Sequence, residues 1–289
     1  MSKKILKNIF DVLRYGYNVF RKLGKQEKKS RKQQEKKSTL NNKKETKPIK
    51  NESKIHPWRL CPEGEHWVVT HDLTVPVSEK NPDGKTIRHG HCRANPSRKD
   101  IIKPDEIIEI AQTNFSDLQG PPTPNNLGFK DGNKYDHLIR GWVKYWNEVL
   151  KPNEPLDPNL IKALIASESG FNLIPKEGNA GSAGKARGLI QITDQARSAL
   201  KAQKGELKDN LIYLEEKDLN DPNISICAGT RWLFQKKKLA SHRLKREATW
   251  QEAVSEYKGY LRDQISGKNP NPKGMENFNS KYKILKGEK

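Results

Sequence analysis

The chain has 289 residues, 33% of them hydrophobic, and its 55 Lys and Arg against 35 Asp and Glu leave a formal charge of +20. That is one or two domains' worth of chain with little apolar material, and no window approaches the ~18 consecutive apolar residues of a membrane-spanning helix. Three cysteines are too few for a disulfide framework, and an odd count leaves at least one unpaired.

The charge is uneven. Residues 1–55 hold 18 Lys and Arg against 5 Asp and Glu, so the rest of the chain is only mildly basic. Within 1–22, Ile5, Ile9, Val12, Leu13, Tyr17 and Phe20 recur at helical spacing among Lys3, Lys4, Lys7, Arg14, Arg21 and Lys22, which predicts a basic amphipathic helix. Such a helix attaches to an anionic membrane surface, or it docks on its own protein or a partner. Asp11, Arg14 and Asn18 interrupt what would be the apolar region of a signal peptide, so no conventional signal peptide is expected. Residues 23–55 contain almost no large apolar side chains and read as a disordered basic linker.

Residues 56–103 change character. They hold two of the three cysteines and five of the seven histidines, and strand-like runs from Trp67 to Val77 and from Thr86 to Cys92 flank an Asn-Pro-Asp-Gly turn at 81–84. This predicts a small Cys/His-rich β-hairpin module. Cys61, His66, one of His89 or His91, and Cys92 would supply four ligands of the kind tetrahedral zinc prefers. The spacing is not a common zinc signature, and His89 and His91 would project to the strand face opposite Cys92. A Cys61–Cys92 disulfide in an oxidising compartment, or histidines that are merely exposed polar residues, are the other two readings. Any zinc would be structural, and no cofactor is expected for catalysis.

Residues 104–133 read as a short helix opened by Pro104, Asp105 and Glu106, then a Pro-, Gly- and Asn-rich connector from Gly120 to Gly132. From 134 to 289 the pattern is helical. An apolar stripe from Leu138 to Leu150 predicts a core-facing helix over 135–151. Asp157 as N-cap, Pro158 at the first position and Gly170 as stop delimit the next, over 158–169. Further helices are expected at about 193–203, 222–240 and 249–265. The last opens with Thr249 three residues before Glu252, a capping box. Cys227 falls within an apolar helix and reads as a small core residue. The fold class is mainly α.

One carboxylate stands out. Glu168 lies four residues after Leu164 and three after Ile165, on their apolar face, and in a last turn where the helix dipole disfavours negative charge. Both effects favour the neutral acid, the form that a general acid needs. The plainer reading is a Glu that caps or pairs locally, for instance with Lys162 or Arg187.

Residues 160–193, LIKALIASESGFNLIPKEGNAGSAGKARGLIQIT, resemble the core of the soluble lytic transglycosylases, which share the fold of goose-type lysozyme. The shared features are an apolar helix ending in Glu-Ser-x-Phe, a small-residue loop, and a Gly-Leu-Met-Gln-like turn into a helix. LNDPNISICAGTRWL at 219–233 and SEYKGY at 255–260 fall where the family has its next motifs. The resemblance covers roughly 135–265. It implies a lysozyme-like all-α catalytic domain with Glu168 as acid and base. Ser169 would help orient Glu168 or the sugar, Gly188, Leu189 and Gln191 would contribute a wall of the saccharide groove, and Tyr257 would pack beside Glu168. Lys185 stands where Gly is usual, Ile190 where Met is usual, and Glu256 and Lys258 flank Tyr257 where Ala and Asn are usual.

The reaction implied is cleavage of the N-acetylmuramic acid to N-acetylglucosamine bond of peptidoglycan glycan strands. One Glu first donates and then removes a proton, leaving 1,6-anhydromuramoyl ends. Glu177 and Asp194 are the nearest candidates for a second carboxylate and read as structural. A lysozyme-type hydrolase of the same bond, a catalytically silent binding domain, and a nucleic-acid-binding protein using the basic tail are the alternatives. Against the last, the tail lacks the interleaved aromatics that stack bases, so nucleic acid is not the expected partner. The expected site of action is the cell envelope, reached through lysis, a dedicated export system or membrane association. Residues 1–55 would tether the enzyme to a lipid or cell-wall polymer.

Overall fold

The computed structural model describes residues 58–97, 99–122, 126–173 and 181–288. The expected N-terminal helix and linker, and Glu177, lie outside the described residues. Residues 53–289 form one unit by their packing.

The Cys/His segment folds as one long bent hairpin. Strand β1 (Glu65–Val68) pairs antiparallel with β4 (His91–Ala94), and beyond a break β2 (His71–Thr74) pairs with β3 (Lys85–Arg88). Thr70 Oγ1 accepts from the Gly90 amide at 2.9 Å across the break. At the tip, the Gly84 amide donates to Asn81 O at 3.1 Å, closing the expected turn. The outer half stands in solvent with Leu73 and Ile87 exposed.

The zinc reading is not what the hairpin assembles. Cys61 and Cys92 are joined in a disulfide, so neither sulfur is a free thiolate for a metal. His66 is buried with Nδ1 2.7 Å from Asn95 Oδ1, and burial pushes its imidazole below the usual value, helped by Lys103, Arg93 and Arg59. His91 turns Nδ1 toward His89 O at 3.0 Å, and His89 is exposed. Among the described residues no three His, Cys, Asp or Glu side chains are grouped to hold a metal.

A buried charge cluster fastens the hairpin base to the helices. Arg59 donates from Nε to Glu106 at 2.5 Å and from a terminal nitrogen to Asp100 at 2.6 Å, and all three side chains are at most 3% exposed. Its other terminal nitrogen donates to Glu65 O at 3.0 Å. Burial pushes the Glu106 carboxyl up, and Arg59 offsets this only in part. Trp58 packs edge-on to Phe115 and stacks with Tyr145. Strand β5 (Ile101–Ile102) then pairs in parallel with β8 (Leu211–Ile212), inside the same core. Packing is therefore continuous across the borders expected at 103 and 133.

Helix α5 (Pro222–Leu244) takes α1 (Pro104–Asn114), α2 (Asp136–Leu150), α4 (Asp194–Lys201) and α6 (Trp250–Tyr257) against it, while α3 (Pro158–Glu168) packs on α2 and α8 (Lys273–Lys286), and α7 (Leu261–Ile265) follows α6. Their starts are locally encoded. Asp157 accepts from the Asn159 amide at 2.9 Å, Asp221 from those of Asn223 and Ile224, and Thr249 with Glu252 makes a reciprocal capping box. Every residue of α5 from Asn223 to Gln235 is buried. It is covered by the indoles of Trp142, bonded to Asn223 Oδ1 at 2.6 Å, and Trp146, bonded to Cys227 O at 3.0 Å. Cys227 is thus a core residue.

Two elements depart from the sequence-based expectation. The helix expected over 249–265 is broken at 258–260, where Gly259 takes φ +79°. Helix α8 was not anticipated: its buried residues Met275, Phe278 and Leu285 are spaced among Lys, Asn and Gly, and it packs against α3. Tyr282 of α8 donates to Asp157 Oδ2 at 2.9 Å. No helix among the described residues is long and apolar enough to cross a membrane.

Two stability predictions follow from the hairpin and its anchor. Arg59→Met leaves two carboxylates buried without their cation and should cost about 3–5 kcal/mol, read as a lower urea midpoint. Reducing the Cys61–Cys92 bridge should cost about 3–4 kcal/mol by chain entropy, checked by urea unfolding with and without dithiothreitol.

Candidate active site

Glu168 is the last residue of α3. Leu164 and Ile165 beneath it are fully buried, while the Glu168 side chain keeps 18% exposure at the rim of the core. Neither local partner anticipated for it is used. Lys162 is buried on Asn133 and Asp136, and Arg187 is held by Asp194 at 2.9 Å and Glu216 at 2.6 Å. Glu168 pairs instead with Lys258, whose Nζ donates to Oε1 from the residue that follows α6. The two groups are ninety positions apart in the chain, and only the packing of the α6 end beside the α3 end joins them.

Ser169, next to Glu168, is half-buried and donates its hydroxyl back to Ile165 O at 3.3 Å. The Gly188–Gln191 segment forms a tight turn, with the Gln191 amide and side chain both donating to Gly188 O, at 3.2 and 2.8 Å. Gly188 is required here twice over. Its φ is +73°, and a Cβ would lie 2.4 Å from Ser225 Oγ and 2.6 Å from Leu219 O. Leu189 differs from expectation: its side chain is fully buried and anchors the turn from below, leaving Gly188 and Gln191 to face the groove. Ile190, also buried, offers its carbonyl to the Tyr257 hydroxyl at 2.7 Å. Burial pushes the Tyr257 phenol well above its usual value, and the charge of Glu168 adds to the shift, so Tyr257 remains a neutral donor near that carboxylate.

Part of this arrangement borders an open groove of about 670 Å³, which Glu168 and Ser169 do not themselves line and which Glu168 adjoins through its partner Lys258. Gly188, Gln191, Tyr257 and Lys258 line it together with Lys185, Arg187, Trp232 and Lys236. Asp194, the other described carboxylate weighed for chemistry, is a loop anchor. Its slight burial pushes it up, but the Lys185 amide, Arg187 and Arg197 outweigh this and hold it below the usual carboxylate range. Lys258, Trp232 and Lys236 were not anticipated as groove residues. For Lys258 the signal was present in its departure from the pattern beside Tyr257, but the partner it reaches is set by tertiary packing.

A carboxylate at the end of a buried helix lies near a glycine-initiated turn on a central helix, and a tyrosine is bonded to that turn, all within a mostly helical domain. Residues 145–259 match the family model described as the Transglycosylase SLT domain, in line with a C-terminal lytic transglycosylase domain. The match runs from within α2 to Gly259 and includes Glu168, the 188–191 turn, Tyr257 and Lys258. No curated protein matches the chain. A match to such a domain implies cell-wall peptidoglycan as the material acted upon.

Gly188→Ala tests the seating of the turn. The left-handed backbone and the collision with α5 should together cost about 2–4 kcal/mol in urea unfolding.

Proposed function

We propose that the protein is a lytic transglycosylase in which Glu168 alone serves as acid and base. In its acid form Glu168 protonates the glycosidic oxygen between N-acetylmuramic acid and N-acetylglucosamine, and the C1–O bond breaks. The muramoyl C6 hydroxyl attacks C1, Glu168 takes the hydroxyl proton, and a 1,6-anhydro ring closes without water. The proton balance is restored in the same carboxyl group.

One observation carries this reading: among the described residues, Glu168 is the carboxyl group that closes a buried helix next to the Tyr257-bound turn at the groove. Asp194 is engaged by Arg187, Glu256 by Arg243 at 3.2 Å, and Glu206 on the groove wall is solvent-exposed. Most glycosidases need a second carboxylate as nucleophile or base, whereas an intramolecular attack by the sugar's own hydroxyl does not. Gly188 and Gln191 would hold the saccharide from the turn side, with Tyr257 fixing the turn against Glu168.

The Cys61–Cys92 disulfide supports action in an oxidising compartment, since such bonds are reduced in the cytosol. The basic segment 1–55 would hold the enzyme near an anionic lipid or wall polymer.

Glu168→Gln should abolish release of soluble fragments from purified peptidoglycan while the variant still unfolds in a single cooperative urea transition. Mass analysis of the wild-type products should find anhydromuramoyl ends. Reducing muramic acid ends would instead assign a hydrolase, and retained activity in the Gln variant would remove Glu168 from the chemistry.

A further inference from the structure

The bend of the hairpin opens a second cleft, of about 480 Å³, that shares no residue with the groove. Both ladders contribute to its walls. The outer one supplies the cross-strand pair His71 and Arg88, and β4 of the inner one supplies His91 and Arg93. Val68, Cys92 and Ala94 complete the lining, so the cleft holds two guanidinium groups, two imidazoles and no carboxylate. Arg88 and Arg93 are exposed, and neither has a side-chain ion pair among the described residues. The ribbon does carry acids, but Asp72 sits opposite Ile87, on the other face from His71 and Arg88, and Glu79 and Asp83 belong to the tip.

The histidines are oriented for a ligand. Nδ1 of His71 lies 2.9 Å from Val69 O, and Nδ1 of His91 lies 3.0 Å from His89 O. A carbonyl only accepts, so Nδ1 carries the hydrogen in both rings and Nε2 is left to meet what enters the cleft. Two such nitrogens alone would suit a metal ion, but the guanidinium charges beside them repel a cation and attract an anion, to which an imidazolium donates from Nε2. The neighbours already feel this field: burial, and with it the charge of Arg93, pushes the His66 imidazole and the Lys103 ammonium below their usual values.

We propose that this cleft binds a phosphate group, as a monoester or a diester. A carboxylate presents two oxygens in one plane, whereas the donors here come from both strands and both ladders, and the tetrahedral oxygens of a phosphate accept from them together. The group belongs either to an anionic lipid headgroup or to a soluble phosphate ester, the same chemistry from two sources. The assignment does not depend on the role of Glu168.

The experiment titrates the full chain with inorganic phosphate at about pH 6, replacing chloride at constant ionic strength, and follows the imidazole proton resonances. His71 and His91 should move along one saturating curve while His242, exposed at the end of α5 beside Arg243, stays still. Acetate should move neither. The double variant Arg88→Gln, Arg93→Gln should weaken phosphate binding by about tenfold or more, the scale of one charge-assisted hydrogen bond. Lys85→Gln, on the opposite face of β3, should leave it unchanged. No saturating shift, an equal response to acetate, or an equal weakening by Lys85→Gln overturns the site. Phosphatidylglycerol vesicles and glycerol phosphate then separate the sources, because comparing the double variant with wild type cancels the contribution of residues 1–55. A loss of vesicle binding assigns the lipid, a loss confined to glycerol phosphate assigns the soluble ester, and a loss with neither overturns the proposal.

Discussion

Thirteen consecutive residues of α5, Asn223 to Gln235, are buried, and a helix covered on every side obliges the rest of the chain to supply its walls. Helix α2 supplies two indoles, each with its N–H satisfied on α5. Helix α1 supplies the Ile107 carbonyl to the Asn223 amide at 3.1 Å, and α6 sets Trp250 edge-on to Phe234. The remaining side is taken by the turn that borders the groove. Gly188 lies against Ser225, and Ile190 against Gly229, where a Cβ would come within 2.0 Å of the Ile190 side chain. Ser225 and Gly229 on α5 thus leave room for Gly188 and the Ile190 side chain, and the turn that borders the groove is seated on a fully buried stretch of helix.

That arrangement explains why some of the site could be read from sequence and some could not. Asp157-Pro158, Asp221-Pro222 and Thr249 with Glu252 announce helix starts because capping is local chemistry, satisfied within three or four residues. Glu168 was legible for the same reason: its place at the end of an apolar helix follows from spacing alone. The Lys258 partner was not, since the pairing spans ninety residues and depends on where α6 ends. Leu189 was assigned to the groove because a motif says which residues are adjacent in the chain, whereas burial is decided by which side of the turn meets α5. Helix α8 escaped notice because its apolar stripe is thin, with polar residues filling most other positions.

The hairpin gives a second contrast. Its residue types allowed a metal, a disulfide or neither, and sequence spacing could not choose among them. The register chooses: Trp67 opposite Cys92 puts the latter beside the chain entering β1, within reach of Cys61. Arg59, two residues before Cys61, then fixes the strand entry to α1 through Glu106. The covalent link and the ion cluster close the same corner, one from the solvent side of the hairpin and one from the core.

Tyr282 reaches from α8 to the N-cap of the helix that ends in Glu168. The segment matched by the family model stops at Gly259 and leaves that support out. Homology and mechanical integrity therefore have different borders in this molecule. A fragment trimmed to the matched residues would keep Glu168 and the 188–191 turn yet lose the strut beneath the Glu168 helix, so the portable part of the chain is smaller than the part that can stand.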